Sequence, residues 1–205
     1  MLGSSWREAM MNFFNESVGV ATDVVAALAE ALGSHGKDLI ALGEGGDTIS
    51  QMRLFHYLPP PATSEKKCLG SSPHTDWHVV TIIARDAESM LQYKDQQTGQ
   101  WVNATLGAPG ELILLIGDWL SAYSGGAFHS AAHRVLLPEQ ESSMAFVLFL
   151  YPSPDARLPE TCRPANTSAA VGQQRESLNT VEADFFELPW GEYVVRKWAK
   201  VMSNR

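Results

Sequence analysis

Six histidines punctuate the 205-residue chain, and His74 stands in a spacing that suits metal chemistry. In His74-Thr75-Asp76 one residue separates an imidazole from a carboxylate. On an extended backbone residues i and i+2 point to the same side, so both groups can reach one ion. His133 begins another predicted strand, and antiparallel pairing would bring it opposite that pair. Two imidazoles and one carboxylate on one face of an octahedral ion leave three positions open. That arrangement suits non-haem Fe(II), which must take a chelating cosubstrate and O2 side by side. The three residues alone do not decide the matter, because an H-x-D triplet often arises by chance and one distant histidine adds little.

The apolar pattern predicts the elements that must position these groups. Trp6, Met10, Phe13, Val20, Val24, Leu28 and Leu32 recur at helical spacing, and Gly33 supplies a stop because glycine takes the left-handed conformation cheaply. A Gly-rich stretch (Gly43, Gly45, Gly46) follows, after which the texture changes to strands. Strands are predicted at 51–58, ended by Pro59–Pro61, then at 78–85, 90–94, 101–105, 111–116, 131–137 and 143–151. Residues 62–73 read as a polar loop, 152–172 as a mobile connector and 191–202 as a second amphipathic helix. Such short strands flanked by helices predict a mainly β chain, a jelly roll with helical support. Three parts follow: a helical support segment at 1–50, a barrel core at 51–152, and a connector with its C-terminal helix at 153–205.

Composition narrows the function classes. With 45% hydrophobic and 19% charged residues, the chain can build a packed core. Fifteen basic against 23 acidic residues, a net charge of −8, argue against a nucleic-acid or anionic-membrane partner. No apolar run approaches the length of a membrane span. Cys68 and Cys162 cannot make a disulfide framework and suit a reducing compartment, so the expected address is cytoplasmic.

Longer blocks of sequence strengthen the metal reading. They are Met52-Arg53-Leu54-Phe55-His56-Tyr57; His74-Thr75-Asp76 followed by Val80-Thr81-Ile82-Ile83; Leu91-Gln92 through Gly99-Gln100-Trp101-Val102 to Pro109-Gly110-Glu111-Leu112; and Ile116-Gly117-Asp118-Trp119-Leu120 with Ser124-Gly125-Gly126 and Ser130-Ala131-Ala132-His133-Arg134-Val135. In this order they resemble the core of the plant-type and microbial Fe(II)/2-oxoglutarate-dependent dioxygenases, a group that includes isopenicillin N synthase-like oxidases. Trp190-Gly191-Glu192-Tyr193 is similar to the family's closing helix. The resemblance implies a double-stranded β-helix with Fe(II) held by His74, Asp76 and His133, and 2-oxoglutarate chelating the metal near Tyr57 and Ser143. It implies oxidative decarboxylation of that cosubstrate, with O2, coupled to hydroxylation or desaturation of a small organic substrate.

Two departures from the family pattern bear on the cosubstrate. The family holds the far carboxylate of 2-oxoglutarate with an R-x-S pair; here Ser143 matches, but Glu141 stands at the arginine position. Like charges about 4 Å apart at an effective dielectric of ~20 repel by roughly 4 kcal/mol, which would weaken binding by orders of magnitude unless Glu141 turns away or another cation substitutes. Phe55 replaces an asparagine two residues before Tyr57, and Arg53, of the same parity, is the first candidate for a replacement cation. The chain also begins close to the long helix, where family members carry a further region, so its N-terminal region is expected to be truncated. Alternative readings are therefore an oxidase that dispenses with 2-oxoglutarate, or an inactive relative acting as a binding module.

Other residues have simpler expected uses. Trp77 and His78 face either substrate or the packed and solvated surroundings, and His129 reads as a loop or barrel-rim side chain. Asp118 is expected to stabilise the turn after Ile116, Trp101 and Trp119 to sit in the core, and Arg196, Lys197 and Lys200 to form a solvated helix face.

Overall fold

The computed structural model describes residues 3–36, 39, 50–61, 68–86, 90–162 and 184–203. The Gly-rich stretch at 43–46, loop residues 62–67 and the connector from 163 onward lie outside the described residues, as does the side chain of His35. Helix α1 runs Ser4–Ala31, and Gly33, at φ 62°, turns the chain out of it. Its buried face is not the bulky set expected from spacing. Ser17, Ala21, Val25 and Ala29 are buried, while Trp6 and Val20 are 43% and 42% exposed. Small side chains let the helix axis lie close to the sheet, and Phe14, Val18, Leu28 and Leu32 pack along its flanks.

Eight strands follow among the described residues: β1 (Gln51–Tyr57), β2 (Leu69–His74), β3 (Val80–Arg85), β4 (Leu91–Lys94), β5 (Trp101–Asn103), β6 (Ile113–Ile116), β7 (His133–Leu136) and β8 (Ser143–Leu150). They form two four-stranded antiparallel sheets, in the orders β1-β8-β3-β6 and β2-β7-β4-β5, with helices outside. This is the expected jelly roll. Strand β2 lies where a polar loop was expected. Its sequence, LGSSPH, has no β-branched or aromatic residue, and it is an edge strand whose register against β7 shifts twice. Pairing with β7, not local propensity, makes it a strand. Two short helices were also unforeseen, α2 (Asp118–Tyr123) and α3 (Asp184–Glu187), before the C-terminal α4 (Trp190–Ser203). The described start of the expected mobile connector is instead packed: Pro152, Ser153, Ala156 and Leu158 are buried. Its carbonyls at Pro154 and Ala156 accept the N–H groups of Gly191 and Trp190, each at 2.8 Å. No described helix is long and apolar enough to cross a membrane.

Strand parity divides the core in two. Val80, Ile82, Leu148 and Leu150 point outward and join Ala21, Val25 and Ala29 of α1 with Trp190 and Tyr193 of α4. The alternate residues Ile83 and Val147 point inward and meet Leu91 and Leu115 between the sheets. Burial on both faces explains why β3 and β8 read as nearly continuous apolar runs. Between β6 and α2, Gly117 is pressed against the chain that follows Asp76: a Cβ there would lie 1.8 Å from the carbonyl oxygen of His78. Gly19 in α1 has nothing within 4 Å. Gly117→Ala should therefore cost about 2 kcal/mol or more in urea unfolding, whereas Gly19→Ala should stabilise by up to about 1 kcal/mol. A neutral Gly117→Ala midpoint would contradict this packing.

Candidate functional site

His74 ends β2 and His133 begins β7, and the antiparallel ladder makes them direct partners, with ring centroids 4.3 Å apart. Asp76 follows two residues after β2. One ligand atom from each of the three lies within 4.8 Å of the others, a grouping that could hold a metal ion. Asp76 Oδ1 is 3.8 Å from His74 Nε2, and its Oδ2 is 3.8 Å from His133 Nε2. Asp76 and His133 are buried and His74 is exposed, so the group is open on one side.

Both imidazoles are oriented from behind. His74 Nδ1 lies 2.7 Å from the carbonyl oxygen of Ser72, and His133 Nδ1 3.1 Å from that of Ala131. Because a carbonyl only accepts, each Nδ1 carries the proton and each Nε2 presents a lone pair. Burial also pushes the His133 pKa down, favouring the neutral, ligating form. For Asp76, burial works to raise the pKa, but nearby His78 and His133 and a hydrogen bond from Thr81 outweigh it and hold the carboxyl below its ordinary value. The donor set is thus two imidazoles and one carboxylate.

His78 is buried beside this group and is not one of its three members. Burial pushes its pKa down to about 4, so it is neutral near pH 7. Thr81 Oγ1 donates to Asp76 Oδ2, which leaves it to accept from His78 Nε2 at 2.6 Å. His78 Nε2 is therefore a donor and cannot ligate. Its ring is clamped edge-on by Phe149 and Tyr151, at 5.0 and 5.1 Å between centroids. Asp118 supports the same loop: its N–H donates to the Asp76 carbonyl at 2.7 Å, and its carboxylate accepts from Thr75 Oγ1 at 2.9 Å. Burial raises the Asp118 pKa to about 6.

A cavity of about 140 Å³ opens from the three residues into the space between the sheets. His74, Asp76, His133, Tyr57 and Ser143 all line it. Tyr57 stacks on Phe55, at 5.7 Å between centroids, and its ring occupies space that a side chain at position 70 would need, since a Cβ on Gly70 would lie 2.8 Å from Tyr57 Cδ1. Ser143 Oγ contacts Asp86 Oδ1 at 3.2 Å. Glu141 is exposed and does not line the cavity. Arg53 does not line it either; its guanidinium sits over the Phe149 ring at 5.6 Å. Sequence reasoning passed over Thr81 and Arg85, which do line it. The available signal was parity: 81, 83 and 85 alternate on the inward face of β3. Away from the cavity, Trp119 is core as expected, Trp77 packs edge-on against Trp198 of α4, and Trp101 lies under the Arg134 guanidinium at 4.3 Å.

The profile of the 2OG-Fe(II) oxygenase superfamily matches residues 49–152, half of the chain and the whole of the two-sheet core. The chain belongs to that superfamily. Among curated relatives of this oxygenase chain, the Kihadalactone A synthase of Citrus sinensis is 34% identical over 155 residues, which cover 73% of this chain and 45% of the relative. The 2-oxoglutarate-dependent dioxygenase citB of Monascus ruber is 30% identical over 166 residues, covering 80% and 49%. The chain thus spans about half the length of the curated relatives it matches. Among solved structures, dioxygenase for auxin oxidation 1 from Arabidopsis thaliana, in complex with 2-oxoglutarate, superposes at TM-score 0.67 with 28% identity, over 80% of this chain and 59% of the other. Because Thr81 fixes Asp76 from behind, Thr81→Val should weaken Fe(II) binding by roughly 10- to 100-fold while leaving the fold intact. Anaerobic Fe(II) titration with circular dichroism as the fold control measures it.

Proposed function

We propose that this chain carries the active site of an Fe(II)- and 2-oxoglutarate-dependent oxygenase that hydroxylates or desaturates a small organic molecule. The observation that carries this reading is the donor set: two Nε2 lone pairs and one carboxylate converging from one side, each locked by a hydrogen bond behind it. His74, Asp76 and His133 would hold Fe(II) facially, and such a triad with open positions is the arrangement that non-haem Fe(II) oxygenases use. When bound, the iron together with 2-oxoglutarate and O2 supplies the oxidation of a C–H bond, with succinate and CO2 as coproducts.

The protein's own residues do the rest. Ser72 and Ala131 carbonyls hold the imidazoles in the ligating tautomer, and the His78–Thr81 relay keeps Asp76 ionised and aimed. Ile83, Leu91 and Val147 give the cavity an apolar wall that offers water no hydrogen-bond partner. Tyr57 and Ser143 line the same cavity and would contact the cosubstrate. Burial raises the Tyr57 pKa, so its phenol stays protonated and can donate. The Ser143 hydroxyl can rotate from Asp86 toward the cavity. With only Cys68 and Cys162, the chain has too few cysteines for a disulfide framework, which supports a reducing, cytoplasmic setting.

The test is anaerobic addition of Fe(II) and then 2-oxoglutarate to the purified chain. A visible charge-transfer band from the chelated keto acid is expected, and succinate on admitting air. Asp76→Ala should lower Fe(II) affinity by more than the ~100-fold upper range of second-sphere changes. Unaltered iron binding in Asp76→Ala, or bound iron with no band, would reject the reading.

A further inference from the structure

Resting on the reading just given, we propose that Arg85 of β3 is the cation that receives the far carboxylate of 2-oxoglutarate, at a place in the barrel different from the arginine position now held by Glu141. Arg85 lines the same cavity as His74, Asp76 and His133. Its Nη2 donates to the Ala104 carbonyl at 2.7 Å, which ties the guanidinium down. Its Nε and Nη1 are buried with no hydrogen-bond partner among the described residues. Arg85 as a whole is half-buried, but these two donors are shielded from water, and buried donors left unpaired are costly unless something arrives to meet them. The group that fits two such donors on a cation is an anion.

The register gives the depth of this anion site. Thr81, which holds Asp76, and Arg85 lie on the same inward face of β3, four residues apart, or about 13 Å of extended chain. Ile83 and Val147 form the apolar wall between them, paired across β3 and β8. Arg85 pairs with Ala145, whose other neighbour is Phe55, and the next inward pair is Tyr57 with Ser143. The cavity thus runs from a metal-binding end, past an apolar middle, to an end with a guanidinium, a phenol and a hydroxyl. A five-carbon dicarboxylate with a keto acid at one end has that polarity. Ala145 beside it is small, and Glu141 stays outside the cavity, exposed to solvent.

The discriminating probe is 2-oxopentanoate, which has the same chain length and chelating end but a methyl group in place of the far carboxylate. Half-saturation of the anaerobic charge-transfer band is measured for both keto acids. The unaltered chain should prefer 2-oxoglutarate by roughly 10- to 100-fold, the worth of a charge-assisted hydrogen bond, because a site built around a polar group rejects the analogue that lacks it. In Arg85→Gln that preference should fall to about one, with Fe(II) affinity unchanged. Arg85→Met, close in size and suited to an apolar wall, is the second variant should the first not fold. Glu141→Arg should alter 2-oxoglutarate binding by less than about threefold, since an exposed charge is screened. If iron binds but neither keto acid gives a band, this inference fails together with the reading it rests on. If the band forms but the preference is absent from the unaltered chain, survives in the Arg85 variants, or rises tenfold in Glu141→Arg, the Arg85 site is wrong and the oxygenase reading stands.

Discussion

The pairing of β2 with β7 is the constraint on which the site depends. It makes His74 and His133 direct partners across an antiparallel ladder, with both Nδ1 atoms turned toward backbone carbonyls of their own segments. Neither strand is a strong strand by composition, and β2 is polar, exposed and irregular in register. The ladder exists because β7 is held on its other side by β4, where Tyr93 pairs with His133 and Leu91 with Val135. The placement of His74 beside His133 is thus inherited from the better-packed neighbour.

The second sheet contributes by parity. With β8 between β1 and β3, every second residue of three adjacent strands points inward, and each step along them is a step in depth. Thr81 marks the metal end, Ile83 and Val147 the apolar middle, Arg85 and then Tyr57 the far end. The outward residues of the same strands meet α1 and α4. One set of strands therefore serves two environments, and a register slip of one residue would exchange them. The close approach of α1, along Ser17, Ala21, Val25 and Ala29, presses the outer face and holds the register that the inner face needs.

Charge within this barrel is carried by a few well-placed groups. Asp76 is buried, yet a relay from His78 through Thr81 and the flanking imidazoles keeps it ionised. His78 shows how burial decides a role: a histidine two residues from Asp76 is kept neutral and committed as a donor to Thr81. Arg85 is the opposite case, a cation whose Nε and Nη1 have no hydrogen-bond partner among the described residues. Glu141, whose charge looked prohibitive in sequence, lies in solvent where that charge costs the cavity little.

The mainly β jelly roll, the long N-terminal helix, most strands, and the residues His74, Asp76, His133, Tyr57 and Ser143 that share the cavity could all be read from the chain before it was folded. The helix and strands were legible from local period and turn residues, and His74 with Asp76 from their spacing, all properties of short stretches of chain; Tyr57 and Ser143 were legible only through the resemblance to the oxygenase family. Three features came from packing alone: that β2 is a strand, that the small-residue face of α1 is the buried one, and that the chain after Pro152 is packed against the start of α4. Each of those depends on a partner distant in sequence, and no local pattern encodes a partner. The same reason separates Arg53 from Arg85. Both have the inward parity of their strands, but which cation enters the cavity depends on where β1 and β3 sit across β8 and on what lies over each guanidinium. That is a property of three strands together, and it appears only once they are paired.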